Sequence, residues 1–192
     1  LINNAGVWIL RAEMSKDGME IMLAVNTIAP FLLMKLLRDM LLKAGKARII
    51  NVSSFAHAFK KLDLRYIKGE RIRRGFSAYG QSKLALIMLS YRFADMMKGK
   101  GVAVNCLHPG VFASYLGRGY GFIVPYLMKL VLRSPEKASD TPFYLATSDD
   151  VEGVTGKYFV NKRPVKSSKE SHNREKQELV WEACKGLTRN YL

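Results

Sequence analysis

Short runs rich in apolar and β-branched residues, each closed by turn residues, alternate in this chain with long helical stretches. Leu1 and Ile2 run into Asn3-Asn4-Ala5-Gly6. Ala47 to Val52 (ARIINV) lies between Gly45 and Ser53-Ser54. Gly101 to Leu107 (GVAVNCL) stops at His108-Pro109-Gly110, and Lys157 to Val160 (KYFV) forms a last strand. Between them the spacing predicts a long, mostly buried helix from about Met19 to Leu42. A polar, basic loop over 55–76 and an apolar-periodic helix from Ser77 to Met97 follow. Residues 111–134 are irregular and apolar. A capping Ser134 with Pro135 at the first helical position starts a helix to about Thr147, and a polar helix from about Lys169 to Leu187 ends the chain. Strands separated by helices of this length predict parallel pairing and a doubly wound α/β sheet. Such sheets bind ligands at the carboxyl ends of their strands, near a switch in strand order. NNAG, VSS and HPG all stand just after strands.

Composition narrows the function. A chain of 192 residues that is 48% apolar suffices for a single domain with a real core and argues against disorder. Cys106 and Cys184 are far apart, so neither a disulfide framework nor a zinc site is implied, which suits a reducing compartment. His57, His108 and His172 share no metal-ligand spacing; they read as loop or surface residues, and no metal is expected. No secretory signal pattern opens the chain. The net charge of +15 is spread over Lys35 to Arg48, Lys60 to Arg74 and Lys162 to Lys176. No basic stretch is interleaved with stacking aromatics, so a nucleic-acid partner is not expected. An anionic membrane surface, a phosphate-bearing cofactor or plain solubility remain as readings of the charge. A hydrolase on this scaffold would need a G-x-S-x-G nucleophile elbow, and none occurs.

One spacing carries chemistry. Tyr79 and Lys83 lie four residues apart in a predicted helix, on one face and about 6 Å apart along the axis. A tyrosine with a reference pKa of about 10 is a poor base at neutral pH. A nearby ammonium favours the phenolate and makes the residue usable as a general acid or base. Tyr158 and Lys162 repeat the spacing, but in or just beyond a strand, where four residues span about 13 Å and cannot pair directly. Other residues join the first pair. Ser53-Ser54 ends a strand where a hydroxyl could meet a substrate oxygen. Asn26 is a polar residue within a buried helix, where it needs a reason, either functional or as the cap of a helix bend. Pro109-Gly110 suits close backbone approach to a flat ring, or a plain turn.

The order NNAG, the Asn within VNTIAPFLL, VSS, YGQSK and HPG resembles the short-chain dehydrogenase/reductase superfamily over nearly the whole chain. RIINVSS, AYGQSKLA, VNCLHPGV and GKYF…LVWEACKGLT resemble its retinol dehydrogenase-like branch, which also has an extended segment between the Ser and Tyr motifs. The resemblance implies a Rossmann-type fold. It makes Tyr79 the proton donor or acceptor, with Lys83 lowering its pKa and holding the nicotinamide ribose. Ser54 then polarises the substrate oxygen, and Asn26 holds a water that relays protons to Lys83. Asn4, Ala5 and Gly6 lie along the cofactor, Pro109, Gly110 and Val111 meet its nicotinamide end, and Ser114 takes the usual Thr/Ser position after HPG.

The family's Gly-rich G-x-x-x-G-x-G loop, which binds the pyrophosphate, does not occur before NNAG. The chain is therefore expected to be a truncated member missing the first βαβ portion, one that alone folds marginally and binds cofactor poorly. The resemblance puts NADP(H) ahead of NAD(H) and implies a lipophilic, retinoid-like alcohol and aldehyde as substrates. A non-catalytic remnant acting as a binding module is the alternative. Residues 119–133 (GYGFIVPYLMKLVLR) fall in the substrate lid, 111–134, and are too short to span a bilayer. The lid either dips into a membrane surface or packs on its own domain or a second subunit. The family pattern makes the protein intracellular, at the endoplasmic reticulum or another membrane surface. It also makes the last helices a contact for a homodimer.

Overall fold

A computed structural model describes residues 1–110 and 135–191. Five strands form one sheet, in sequence order: β1 (Ile2–Asn3), β2 (Ala47–Val52), β3 (Val102–His108), β4 (Tyr158–Val160) and β5 (Arg163–Val165). β1 to β4 pair in parallel, as the alternation predicts. β5 was not expected. It returns antiparallel to β4 through Asn161 and Lys162, at φ 51° and 63°, the left-handed backbone of a two-residue hairpin turn. No reversal of strand order lies among the described strands. β1, β2 and β3 finish at a shared carboxyl edge, the edge at which such sheets bind ligands.

The helix expected from Met19 to Leu42 is broken twice. It consists of α1 (Ile21–Leu23), a π-helical segment (Ala24–Ile28), α2 (Ala29–Leu36) and, past a break at Leu37, α3 (Arg38–Lys43). The basic loop expected over 55–76 holds a 3-10 turn (Phe55–Phe59), α4 (Leu64–Ile67) and the first turn of α5 (Gly75–Met97). Asp63 makes this possible. Its carboxylate accepts the Tyr66 N–H at 3.4 Å, capping α4, and pairs with Arg73 at 2.5 Å. α6 (Pro135–Thr147) and α7 (Arg174–Leu187) complete the chain, α7 following a 3-10 turn at Lys169–His172. The lid expected over 111–134, with its Val111 and Ser114 and the capping Ser134, lies outside the described residues.

Both faces of the sheet are covered, which is what period-two burial on a parallel sheet requires. Ile49 and Val104 point into the core built on α5, while Ile50, Val52, Leu107 and Phe159 meet Leu145 of α6 on the other side. α7 lies against α5, where Trp181 meets Phe31 and Phe93 at ring-centroid distances of 5.0 and 6.0 Å. Ile2 of β1 and Leu33, Leu36 and Met40 of α2 and α3 are exposed. No helix among the described residues is long and apolar enough to cross a membrane.

Candidate active site

The site forms where three strand ends meet the first turns of α5. Parallel pairing of β1, β2 and β3 puts Asn4–Gly6, Ser53-Ser54 and Pro109-Gly110 at one edge of the sheet. α5 brings Tyr79 and Lys83 there on one face. Lys83 is 3% exposed, and its ammonium donates to the Val52 carbonyl at 2.9 Å. Desolvation lowers its pKa to about 8. The Nζ lies 5.9 Å from the centre of the Tyr79 ring.

Tyr79 itself departs from the expectation that the ammonium lowers its pKa. Burial of the phenol dominates and pushes its pKa above the ordinary value. A hydrogen bond with the Ser54 side chain pulls the other way and only partly offsets that rise. The Trp8 ring packs on Tyr79 at 5.7 Å between centroids. Ser54 begins the 3-10 turn, where its Oγ also accepts the Ala56 N–H at 3.3 Å. The two serines of the pair thus divide their work. Ser53 is buried and donates to the Lys83 carbonyl at 3.0 Å, tying β2 to α5, while only Ser54 faces Tyr79.

Asn26 sits mid-way in the π-helical segment and is fully buried. Its Oδ1 accepts the Val7 N–H at 2.8 Å, and its Nδ2 donates to the Val7 carbonyl at 2.9 Å and to Ser82 Oγ at 3.0 Å. Ser82 Oγ donates in turn to the Tyr79 carbonyl at 2.8 Å. This one amide therefore binds the loop after β1 to the turn of α5 that carries Tyr79. π-helical turns are uncommon and concentrate at functional sites. A side-chain carbon on Gly6 would come within 3.2 Å of both Asn26 Oδ1 and Lys83 Nζ and crowd them, so glycine suits the close approach of the loop to the two polar heads.

The remaining expected positions are less constrained. Asn4 and Ala5 are exposed at the strand end, and Pro109 and Gly110 are partly buried after β3. Gly110 has φ 94°, backbone that favours glycine. Tyr158 belongs to β4 and Lys162 to the hairpin turn, so the second Tyr-x-x-x-Lys has no helical face.

Asn3, Asn51 and His57 were missed in the sequence. Asn3, not Asn4, points inward. Its Nδ2 donates to Asn51 Oδ1 at 2.6 Å, and Asn51 donates to Ser90 Oγ at 2.8 Å, a buried chain under the site. Two Asn in β-rich runs, one of them in ARIINV, were the available signal. His57 is not a surface residue: it is 2% exposed, directly behind Ser54. His108 likewise ends β3 rather than a loop, while His172 is exposed as expected.

A buried lysine beneath a glycine, a tyrosine beside a serine, and an inward-turned asparagine thus meet at the carboxyl edge of the sheet. The sequence pattern of the short chain dehydrogenase family matches residues 1–120. The chain belongs to that family. Retinol dehydrogenase 13 of Mus musculus is 35% identical to this chain over 190 residues, covering 94% of the chain and 57% of the relative. Polyprenol dehydrogenase of Danio rerio is 33% identical over 195 residues, covering 94% and 59%. The chain thus falls in the retinol dehydrogenase-like branch and spans less than three-fifths of these relatives' length. Among solved structures, an uncharacterized protein from Mycobacterium paratuberculosis superposes with a TM-score of 0.76 at 22% identity, over 98% of this chain and 66% of that one. 4-Hydroxyisoleucine dehydrogenase complexed with NADH superposes with a TM-score of 0.63 at 25% identity, over 83% and 65%. The fold is the Rossmann-type α/β fold of this family.

Proposed function

We propose that this chain carries the catalytic residues of an oxidoreductase that interconverts a lipophilic, retinoid-like alcohol and its carbonyl compound with NADP(H). The hydrogen bond between Tyr79 and Ser54, above a buried Lys83, carries this reading. Ser54 and Tyr79 hold the substrate oxygen between two hydroxyls. Tyr79 is protonated at neutral pH, and burial raises its pKa further, so it is in the form that donates to a carbonyl oxygen. Asn26 and Lys83 both border the side-chain-free face of Gly6, where a water between them would link Lys83 to solvent. The residues fit the nicotinamide and ribose end of a cofactor. Lys83 presents a buried ammonium to ribose hydroxyls, and Gly6 and Gly110 offer backbone without side chains. A bound nicotinamide cofactor would supply the hydride.

Relatives named for retinol and polyprenol support a long apolar substrate. The apolar stretch 119–133 and the net charge of +15 support delivery from an intracellular membrane surface. The test uses the full-length gene product, with NADPH and NADH oxidation followed against all-trans-retinal and a short aliphatic aldehyde. The reading expects faster turnover of retinal, with NADPH preferred. A folded protein inactive with every pair would make the site an inherited binding surface instead.

A further inference from the structure

His57 lies behind the site, three residues after Ser54, and nothing in the proposed chemistry uses it. Its ring is 2% exposed and held on three sides. Nδ1 lies 2.7 Å from the Ser54 carbonyl oxygen, Nε2 lies 3.1 Å from the Ser168 backbone nitrogen, and Tyr158 packs edge-on at 5.0 Å between centroids. These partners settle the tautomer. The Ser168 N–H only donates, so Nε2 is the acceptor. The ring proton therefore sits on Nδ1 and is donated to the Ser54 carbonyl.

The far end of this bridge is stiff. Ser167 Oγ bonds Tyr91 Oη of α5 at 2.6 Å and Ser171 Oγ at 2.7 Å. Ser171 Oγ returns to the Ser168 carbonyl at 2.7 Å, and Gln177 of α7 donates to the Ser171 carbonyl at 2.8 Å. The near end is a single peptide whose orientation sets where the Ser54 hydroxyl stands. The Ser54 side chain is short and already engaged by the Ala56 N–H and by Tyr79, so rotating that peptide moves the hydroxyl away from the phenol.

We propose that His57 is a positioning residue: a strut that locks the Ser54 backbone, and through it the Ser54 hydroxyl at Tyr79, to the segment joining β5 to α7. This rests on the reading of Ser54 as the hydroxyl that holds the substrate oxygen. It also gives the C-terminal segment, remote in sequence from the catalytic residues, a direct hold on the site.

The two bridge ends can be cut separately. An asparagine amide nitrogen falls near the Nδ1 position and keeps the bond to the Ser54 carbonyl. A glutamine amide reaches the Nε2 position and keeps only the bond to Ser168. In the full-length gene product, kcat and KM for aldehyde reduction are measured for His57→Asn, His57→Gln and Ser54→Ala. His57→Asn is expected to retain kcat within about threefold, and His57→Gln to lose about tenfold or more in kcat with KM nearly unchanged, because small misplacements of a positioned group act on the reactive geometry. Ser168→Pro attacks the far end. It removes the N–H that Nε2 accepts, at a φ of −57° that proline adopts, and turns a ring carbon toward the imidazole in its place. It is expected to lower kcat severalfold.

Equal kcat in His57→Asn and His57→Gln, or an unaltered kcat in Ser168→Pro, overturns the strut while Ser54→Ala still loses activity. Full activity in Ser54→Ala overturns the reading of the site itself, and the strut with it.

Discussion

At the scale of single residues, the costliest feature is the buried Lys83. Desolvation takes its pKa from 10.5 to about 8. The unfolded chain therefore holds the extra proton between about pH 8 and 10.5, and stability rises as pH climbs through that window. A depression of this size corresponds to about 3 kcal/mol against the charged folded form at neutral pH. Lys83→Met removes that cost but strands the Val52 carbonyl, worth about 1–3 kcal/mol. The variant is expected to be inactive yet at least as stable as the wild type at pH 7. Urea unfolding across pH 7–10 should show the rise in the wild type and not in the variant. Gly6 belongs to the same account. Gly6→Ala places a methyl 3.2 Å from two polar heads, so the loop or those side chains must shift by a few tenths of an ångström. Overpacking of this kind costs about 1–3 kcal/mol, and the KM for cofactor is expected to rise at least severalfold. Tyr79 and Lys83 were legible because spacing is a sequence property, while Ser54 and Gly6 were singled out through the family resemblance. His57 was not, since its burial depends on Ser168, 111 residues away.

At the scale of elements, the π-helical segment matters most. Asn26 satisfies both backbone groups of Val7 and the Ser82 hydroxyl. Asn26→Ala leaves all three without that partner, at about 1–3 kcal/mol for each group that stays buried. A loss of about 3 kcal/mol is expected in chemical denaturation, with faster hydrogen exchange at the Val7 amide. Unchanged exchange there would show that the loop holds without Asn26. Strands β2 and β3 could be read almost to the residue because β-rich runs bounded by Gly and Ser leave little choice. β5 could not. Its Arg163, Pro164 and Val165 are all exposed, so no alternation marks them as a strand. The π turn and the break at Leu37 were invisible because the apolar run passes through both without a Gly. In the basic stretch, the charge hid the Asp63 cap that starts α4.

At the scale of the whole molecule, the sheet presents its ligand edge complete from β1 to β3, while Ile2, Leu33, Leu36 and Met40 stay exposed. No G-x-x-x-G-x-G occurs in these 192 residues to hold a pyrophosphate. The 192 residues in isolation are therefore expected to bind NADPH and NADH weakly. A micromolar dissociation constant by calorimetry would contradict this and assign phosphate binding to residues of this chain. The doubly wound architecture was readable because strand and helix lengths permit little else. The expected meeting of Asn26, Ser54, Tyr79 and Lys83 came from the order of motifs, and only the folded chain shows that Asn26 is hydrogen-bonded to Val7 and Ser82.

The most direct test compares Tyr79→Phe with the wild type in the full-length gene product, following NADPH oxidation with all-trans-retinal. Phenylalanine keeps the ring against Trp8 and removes only the hydroxyl that Ser54 binds. The account expects kcat to fall by at least about a hundredfold, the usual range for losing a general acid, with the melting temperature nearly unchanged. A Tyr79→Phe protein that reduces retinal at the wild-type rate would contradict it.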